Sequence, residues 1–296
     1  MRVYYLGPEA SFSHIVASQI INTIEQNYSL EPVQSISDLF KHNFTSTQDL
    51  ALIPIENSLG GSVGESFDKL LISPVDIEVK LEWVCLIEHY LIGFGKLTDI
   101  NEIRAHYQAF AQCENFINNN WQGLELNKKE MSSNSAAVKS LLAENKAKNI
   151  AAIGAKEAAE LYKIPIIEAK IHDFSDNQTR FWLIGYSENK IKTKLPNYNY
   201  LNSLIFRIPQ DEPGSLMKIL NCLAKRKINL CKIESRPTKG RLCEYNFIID
   251  FVSPNNWQNT RQIILEEIQS FCSYIRFLGN YPVLPLNDLR FDHTNI

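Results

Sequence analysis

Along the first 186 residues short apolar runs alternate with segments of helical spacing, and this alternation restricts the fold more than any other feature. Strand-like runs fall at residues 3–6, 50–55, 150–153 and 181–184, and helical patterns at 13–23, 63–71, 108–117, 134–144 and 156–162. In the second helix Val63, Phe67, Leu70 and Leu71 form one apolar stripe, the mark of a helix laid on a sheet. The order predicts an α/β region. Residues 187–200, lysine-rich with a Pro196-Asn197 turn signal, read as a linker. Beyond it, a strand at 203–208, a helix at 215–224, strands at 229–235 and 245–252, a helix near 260–270 and a strand at 274–278 spell β-α-β-β-α-β, the ferredoxin-like plan. In the first of these helices Leu216, Ile219, Leu220 and Leu223 share a face. Residues 281–296 read as a surface tail.

A chain of 296 residues is long enough for two such cores, and since the last catalytic-type strand ends before the linker, the two are expected to be independent. Thirty basic and 33 acidic residues leave a formal net charge of -3, which provides no electrostatic footprint for nucleic acid or an anionic membrane. The stretch 83–94 is broken by Glu88-His89, and the N-terminus lacks a basic region followed by a long apolar one, so no membrane span or signal peptide is expected and the location is cytoplasmic. Cysteines 85, 113, 222, 231, 243 and 272 contain no Cys-x-x-Cys pair and read as reduced core thiols. Histidines 14, 42, 89, 106, 172 and 293 lack metal-ligand spacing; no metal and no cofactor are expected.

Chemistry concentrates in three polar clusters. In Asn177-Gln178-Thr179-Arg180-Phe181 a neutral hydroxyl stands beside a fixed cation among aromatic neighbours, a combination suited to holding and protonating a small anion. Three helix starts carry small polar residues: Ser11 before the first helix, Asn57-Ser58 with Gly60-Gly61 before the second, and Ser133 before one in the middle of the chain. Each suits either an anion cradle or the cap of its own helix. The third cluster, Asn229-Leu230 through Glu234-Ser235-Arg236-Pro237, follows a Pro213-Gly214-Ser215-Leu216 turn that opens a helix.

Pro54-Ile55-Glu56-Asn57-Ser58, then Thr179-Arg180-Phe181, then Glu234-Ser235-Arg236-Pro237, in this order and at these separations, resemble the prephenate dehydratase family from about Tyr4 to about Leu278. The resemblance implies a two-lobed α/β catalytic domain like the lobes of type II periplasmic binding proteins, followed by a ferredoxin-like βαββαβ ACT domain. It implies a catalytic domain over 1–186, with lobe 1 at about 1–77 and 160–186 and lobe 2 at about 78–159, a linker at 187–200, the ACT domain at 201–280 and a tail at 281–296. The expected form is monofunctional, with no chorismate mutase segment ahead of the first strand. The expected reaction is the decarboxylating dehydration of prephenate to phenylpyruvate in phenylalanine biosynthesis, with L-phenylalanine as effector and a homodimer or homotetramer as assembly.

By the same resemblance Thr179 is the essential hydroxyl, Glu56 its nearest rival as proton donor, and Asn57 and His106 complete the catalytic set. Ser11, Ser58, Gly61, Ser133, Arg180 and Phe181 form the substrate site. Gly214, Ser215, Leu216, Asn229, Leu230, Glu234, Ser235 and Arg236 form the effector site. Arg180 suits two roles equally, a pair with a substrate carboxylate or a tie between lobes. Around His106 the run Ala105-His106-Tyr107-Gln108-Ala109-Phe110-Ala111-Gln112-Cys113 is similar to the family's Ser-His-Pro-Gln-Ala-Leu-Ala-Gln-Cys, departing at 105 and 107; Ala10 departs where the family usually has Gly. Two competing readings are arogenate dehydratase on the same fold and a non-catalytic bilobed small-molecule sensor.

Overall fold

The computed structural model describes residues 1–43, 46–74, 76–194, 199–209, 213–238, 240 and 244–284. The chain begins with β1 (Arg2–Leu6), α1 (Phe12–Thr23), β2 (Ser29–Val33), α2 (Ile36–Asn43), β3 (Leu50–Asn57), the short β4 (Gly61–Ser62), α3 (Gly64–Ile72) and β5 (Ile77–Leu86). A second sheet follows from β6 (Tyr90–Gly93), β7 (Glu102–Ala105), β8 (Asn127–Glu130), β9 (Ile150–Gly154) and β10 (Ile166–Glu168), with α4 (Tyr107–Gln112), α5 (Glu114–Trp121), α6 (Asn134–Ser140) and α7 (Lys156–Tyr162) against it. The chain returns in β11 (Gln178–Tyr186) and ends in β12 (Asn199–Arg207), α8 (Ser215–Ala224), β13 (Leu230–Pro237), β14 (Tyr245–Val252), α9 (Trp257–Gln269) and β15 (Tyr274–Leu284).

Among the described residues the first sheet runs β13-β14-β12-β15-β5-β11-β3-β1-β2, with β4 folded back on β3, and the second runs β10-β6-β9-β7-β8. β1 pairs in parallel with β2 and β3, as α/β connections demand, while β11 returns antiparallel between β3 and β5. The fold is a two-lobed α/β body of the periplasmic-binding type followed by a βαββαβ unit. Sheet membership changes at residues 87–89 and 169–177, so β5 and β10 correct the lobe limits expected at 77 and 160.

Other expectations shift in the same way. The helix expected over 108–117 breaks at Cys113 into α4 and α5, and that over 134–144 tightens after Ser140 into a 3-10 turn at Leu141–Glu144. Tyr281 is fully buried and the last strand continues to Leu284, so 281–284 belong to a strand and not to the expected tail; residues 285–296 lie outside the described residues, as do Cys243 and His293. Of the linker, 195–198 lie outside as well, but 192–194 hydrogen-bond back to Thr23 and Glu25 at the end of α1.

The expected independence of the two cores is overturned. β15 pairs in parallel with β5 through Val283 and Leu284, fusing the C-terminal unit to the first sheet. One apolar cluster runs from Phe67 and Leu70 of α3 and Trp182 of β11 to Leu201, Ile205, Ile248, Leu278 and Tyr281 of the C-terminal sheet. Close approach of the two backbones requires Gly279, whose φ is +128° and whose added Cβ would lie 2.9 Å from Val79 O.

Arg276 of β15 completes this junction. It is 5 % exposed, and its guanidinium donates to Leu70 O (3.0 Å) and Ser73 O (3.2 Å) at the end of α3, then to Pro74 O (2.7 Å) and Ile77 O (2.8 Å). The carbonyls at a helix end have acceptor capacity to spare, and the dipole there favours a cation, so the buried charge is met by peptide oxygens. Arg276→Ala removes the guanidinium from these acceptors, of which Leu70 O and Pro74 O keep other donors, and leaves a cavity in a buried junction. We expect it to lower unfolding free energy by ~2–4 kcal/mol, read by urea denaturation, and a change under about 0.5 kcal/mol would remove Arg276 from the supports of the junction.

Candidate active site

The end of β3, the start of β11 and the end of β5 meet at the edge of the first sheet that adjoins the second: Thr179 lies opposite Asn57 on one side and Cys85 on the other. Asn57 organises the place. Its Oδ1 accepts the N–H groups of Leu59 (3.1 Å) and Gly60 (2.8 Å), an Asx-type turn, so its Nδ2 faces β11. From there Nδ2 donates to Asn177 Oδ1 (2.8 Å), Gln178 O (3.1 Å) and Thr179 Oγ1 (3.0 Å). Ser58 ties the same turn to β11, its N–H donating to Gln178 O (2.8 Å) and its Oγ accepting from Gln178 N–H (2.9 Å). Thr179 Oγ1 is held as an acceptor, and among the described residues no acceptor takes its hydrogen. The hydroxyl is oriented with its proton available.

This geometry corrects the expected helix start. Asn57 and Ser58 neither cap α3 nor sit at its N-terminus; α3 begins at Gly64 after Val63, without a side-chain cap. They form the turn between β3 and β4, in which Gly61 takes φ +74°. Ser11 and Ser133, in contrast, are caps: Ser11 Oγ accepts from His14 N–H (3.3 Å) and donates to Leu6 O (3.0 Å), and Ser133 Oγ accepts from Ala136 N–H (3.0 Å). Ala10 adopts φ +60°, the conformation a glycine would take without strain, and is buried in the apolar cluster that includes Ala137 and Val138 of α6. Ser135 of that helix donates to Glu9 O, so the two lobes touch here. His106 stands just before α4; its N–H donates to Asn134 Oδ1 (2.9 Å) and its ring lies 4.5 Å from that of Tyr107.

Arg180 and Phe181 leave the substrate set. Phe181 is 2 % exposed in the cluster under α1. Arg180 faces the other way: Nε and Nη2 donate to Glu82 (3.0 and 2.7 Å), Nη1 to Glu56 (2.8 Å) and Nη2 also to Asp250 of β14 (2.8 Å). Its charge ties the first sheet to the C-terminal unit, which is neither of the two expected roles. Glu56 also receives Lys232 Nζ (2.9 Å). Burial pushes the Glu56 carboxyl up, but hydrogen bonds from Lys232 and Arg180 outweigh it and hold the group below its ordinary value. A carboxylate so held is ionised at neutral pH and is a poor proton donor. Glu56 therefore loses its claim as the acid.

The expected effector residues divide by strand pleat. On β13, Lys232, Glu234 and Arg236 face the catalytic body: Ser62 Oγ donates to Glu234 (2.7 Å) and Arg236 pairs with Asp68 of α3 (3.0 Å). Ile233 and Ser235 are exposed on the other face. Gly214 precedes α8 at φ +84°, and Asn229 is exposed just before Leu230. Ser215 lines a cavity of about 220 Å³ with Ile208, Pro209, Lys218 and Phe271, whereas Leu216 packs in the core of the unit. A second cavity, about 270 Å³, lies between Phe12 and Ile15 of α1, Trp83–Leu86 of β5, and Lys156 and Glu157 at the start of α7. None of the expected site residues lines it; Cys85, opposite Thr179, does. Burial pushes the Cys85 thiol up to about 12, so no thiolate nucleophile is at hand. Among the described residues no group of His, Cys, Asp and Glu is arranged to hold a metal, and no helix is long and apolar enough to cross a membrane.

A family model, curated relatives and solved structures point to one family. A family model described as prephenate dehydratase matches residues 3–189. The chain is similar to prephenate dehydratase of Methanocaldococcus jannaschii, 38 % identical over 95 % of this chain and 98 % of that protein, and to that of Lactococcus lactis, 34 % identical over 97 % and 100 %. Among solved structures it resembles prephenate dehydratase from Arthrobacter aurescens in complex with L-Phe, with TM-score 0.79 and 27 % identity over 95 % of this chain and 90 % of that one.

The Glu56 pair has a pH signature. A carboxyl lowered in the folded state adds stability above its unfolded value, and that stability is lost as pH falls through the lowered folded value. Glu56→Gln should be less stable than the parent at pH 7 by about 1 kcal/mol, and the gap should shrink below ~pH 4.3, the ordinary glutamate value. Urea titrations at both pH values check this; a gap indifferent to acid excludes the ion pairs as its source.

Proposed function

The chain belongs to the prephenate dehydratase family, and on that premise we propose that it converts prephenate to phenylpyruvate under feedback control by L-phenylalanine. The observation that carries this is the Thr179 hydroxyl, fixed by Asn57 with its proton free, where the two lobes meet. In the reaction the ring carboxylate leaves as carbon dioxide, its electron pair enters the ring, and the ring C–O bond breaks. The departing hydroxide takes a proton and becomes water. Aromatisation supplies the driving force, so a hydrogen bond from Thr179 to the departing oxygen is enough assistance, and solvent restores the proton. The paired state of Glu56 supports Thr179 over Glu56 as that donor.

We take residues 1–186 as the catalytic domain and assign the βαββαβ unit as the ACT domain, with lobe junctions at 87–89 and 169–177 rather than at 77 and 160. Phenylalanine acts from a site around Gly214 and the outer face of β13, and two copies of the chain associate through this unit, whose edge strand β13 has one neighbour in the sheet. An effector there changes turnover only by favouring one arrangement of the contacts at Glu234 and Arg236. The enzyme is cytoplasmic.

Thr179→Ala should lower kcat on prephenate ~100-fold or more with a far smaller change in KM, while Thr179→Ser recovers part of the loss. Ultraviolet assays of phenylpyruvate from prephenate and of phenylalanine from arogenate, run side by side, test substrate and residue together. Conversion of arogenate alone would transfer the activity to the other substrate, and near-normal kcat in a folded Thr179→Ala protein would end the role of Thr179.

Arg236→Ala should raise the phenylalanine concentration needed for half inhibition by roughly tenfold, the scale of a typical coupling free energy, with turnover in the absence of effector changed much less. Inhibition that persists undiminished would place the route from effector to cleft elsewhere.

A further inference from the structure

Asn177 is 1 % exposed, yet its side chain is satisfied on one side only. Its orientation follows from its neighbours. Two backbone N–H groups, of Leu59 and Gly60, donate to one Asn57 atom, which must be the oxygen. Asn57 therefore turns its NH2 toward Asn177 at 2.8 Å, and a donor there demands an acceptor. Asn177 presents Oδ1, which Ser58 Oγ also approaches at 3.4 Å. Its Nδ2 is left pointing elsewhere, buried and, among the described residues, without a hydrogen-bond partner.

The position is as informative as the atom. Asn177 ends the connection 169–177, and its carbonyl accepts Ile87 N–H (2.7 Å) from the connection 87–89. Both crossings between the sheets are thus joined at Asn177, two residues from Thr179. A buried amide donor without an acceptor costs about 1–3 kcal/mol. An unsatisfied group of this kind in a folded protein requires a reason, and a role in the chemistry of a site is one.

We propose that Asn177 is a positioning residue for Thr179 and, in addition, a neutral donor to a carboxylate of the bound dianion; this rests on the function proposed above. Oδ1 fixes the Asn57 amide, and that amide fixes Thr179 Oγ1 as an acceptor, which leaves the threonine proton for the departing hydroxide. The free Nδ2–H answers an anionic oxygen at the floor of the cleft. A neutral donor suits this reaction, because a full cation beside the reacting carboxylate would stabilise the charge that has to be surrendered.

Steady-state kinetics of Asn177→Asp and Asn177→Ala on prephenate between pH 5 and 8 test it, with thermal unfolding as the check of folding. Asn177→Asp keeps the acceptor for Asn57 but replaces the donor by a negative charge. KM should rise roughly tenfold or more with kcat within about threefold. As pH falls the new carboxyl takes up a proton and regains a donor, so KM of this variant should drop toward the parent value while the parent's own KM does not. Asn177→Ala releases Asn57 and should lower kcat by at least roughly tenfold. Parental KM in Asn177→Asp, a raised KM indifferent to acid, or parental kcat in Asn177→Ala each overturn the inference alone. A parent protein that leaves prephenate unconverted overturns the substrate assignment, and the inference with it.

Discussion

One guanidinium holds the first sheet together. Arg180 lies among Glu56, Glu82 and Asp250, from strands β3, β5 and β14, and a charge removed from water to this extent survives only with such partners. Each partner is held in turn. Trp182 Nε1 donates to Glu82 (2.8 Å), Ser203 Oγ donates to Asp250 (2.6 Å), and Lys232 meets Glu56. Deleting any one carboxylate leaves a less compensated cation at the point where catalytic strands and C-terminal strands become one sheet.

The pleat of β11 converts three adjacent residues into three duties. Thr179 and Phe181 point to the α1 side and Arg180 to the opposite side, because successive residues of a strand alternate. Phe181 anchors the strand in the cluster under α1, Arg180 anchors it to β5 and β14, and between these anchors Thr179 has little freedom. Across the ladder Glu56 and Asn57 repeat the division, one tied to Lys232 behind the sheet and the other holding the threonine. Contiguity in sequence here is a consequence of register. The residues flanking the reactive hydroxyl act from behind it.

Several elements were legible because their apolar pattern is strong. α8 follows the stripe of Leu216, Ile219 and Leu223, and β14 is nearly continuous in apolar residues. β2 and β8 were not, since Ser-Leu-Glu-Pro-Val and Asn-Lys-Lys-Glu are edge strands whose side chains are mostly exposed and carry no apolar alternation. β5 and β6 were hidden in one apolar stretch that turns at Ile87–His89. At the site the motif order located Thr179 and Asn57, but a motif carries no direction. Whether Arg180 faces a ligand or Asp250 depends on a strand seventy residues away; Lys232 lies in the third cluster without a role assigned to it there, and Glu82 and Asp250 lie outside every motif that drew attention to the region. The lone signal for them was charge within otherwise apolar strands: Glu82 amid the run 81–84, and Asp250 amid 247–252.

That signal is general enough to reason with. A carboxylate in the middle of an apolar strand is stable only when a cation from another element reaches it, so each such residue marks a junction. β13 shows the converse case. Its polar residues alternate, and Lys232, Glu234 and Arg236 are all turned inward to Glu56, Ser62 and Asp68 while Ser235 remains outside. A ligand or a second chain meeting the outer face cannot touch the inner set directly, yet any shift of the strand along its axis moves Lys232 and Arg236 together, because both side chains project from the same rigid ladder with β14. Glu56, which Lys232 holds, is one peptide from Asn57. Three steps of covalent and hydrogen-bonded structure, Lys232 to Glu56, Glu56 to Asn57 and Asn57 to Thr179, therefore connect the inner face of β13 to the Thr179 hydroxyl, a path short enough for a shift of the strand to reach its aim.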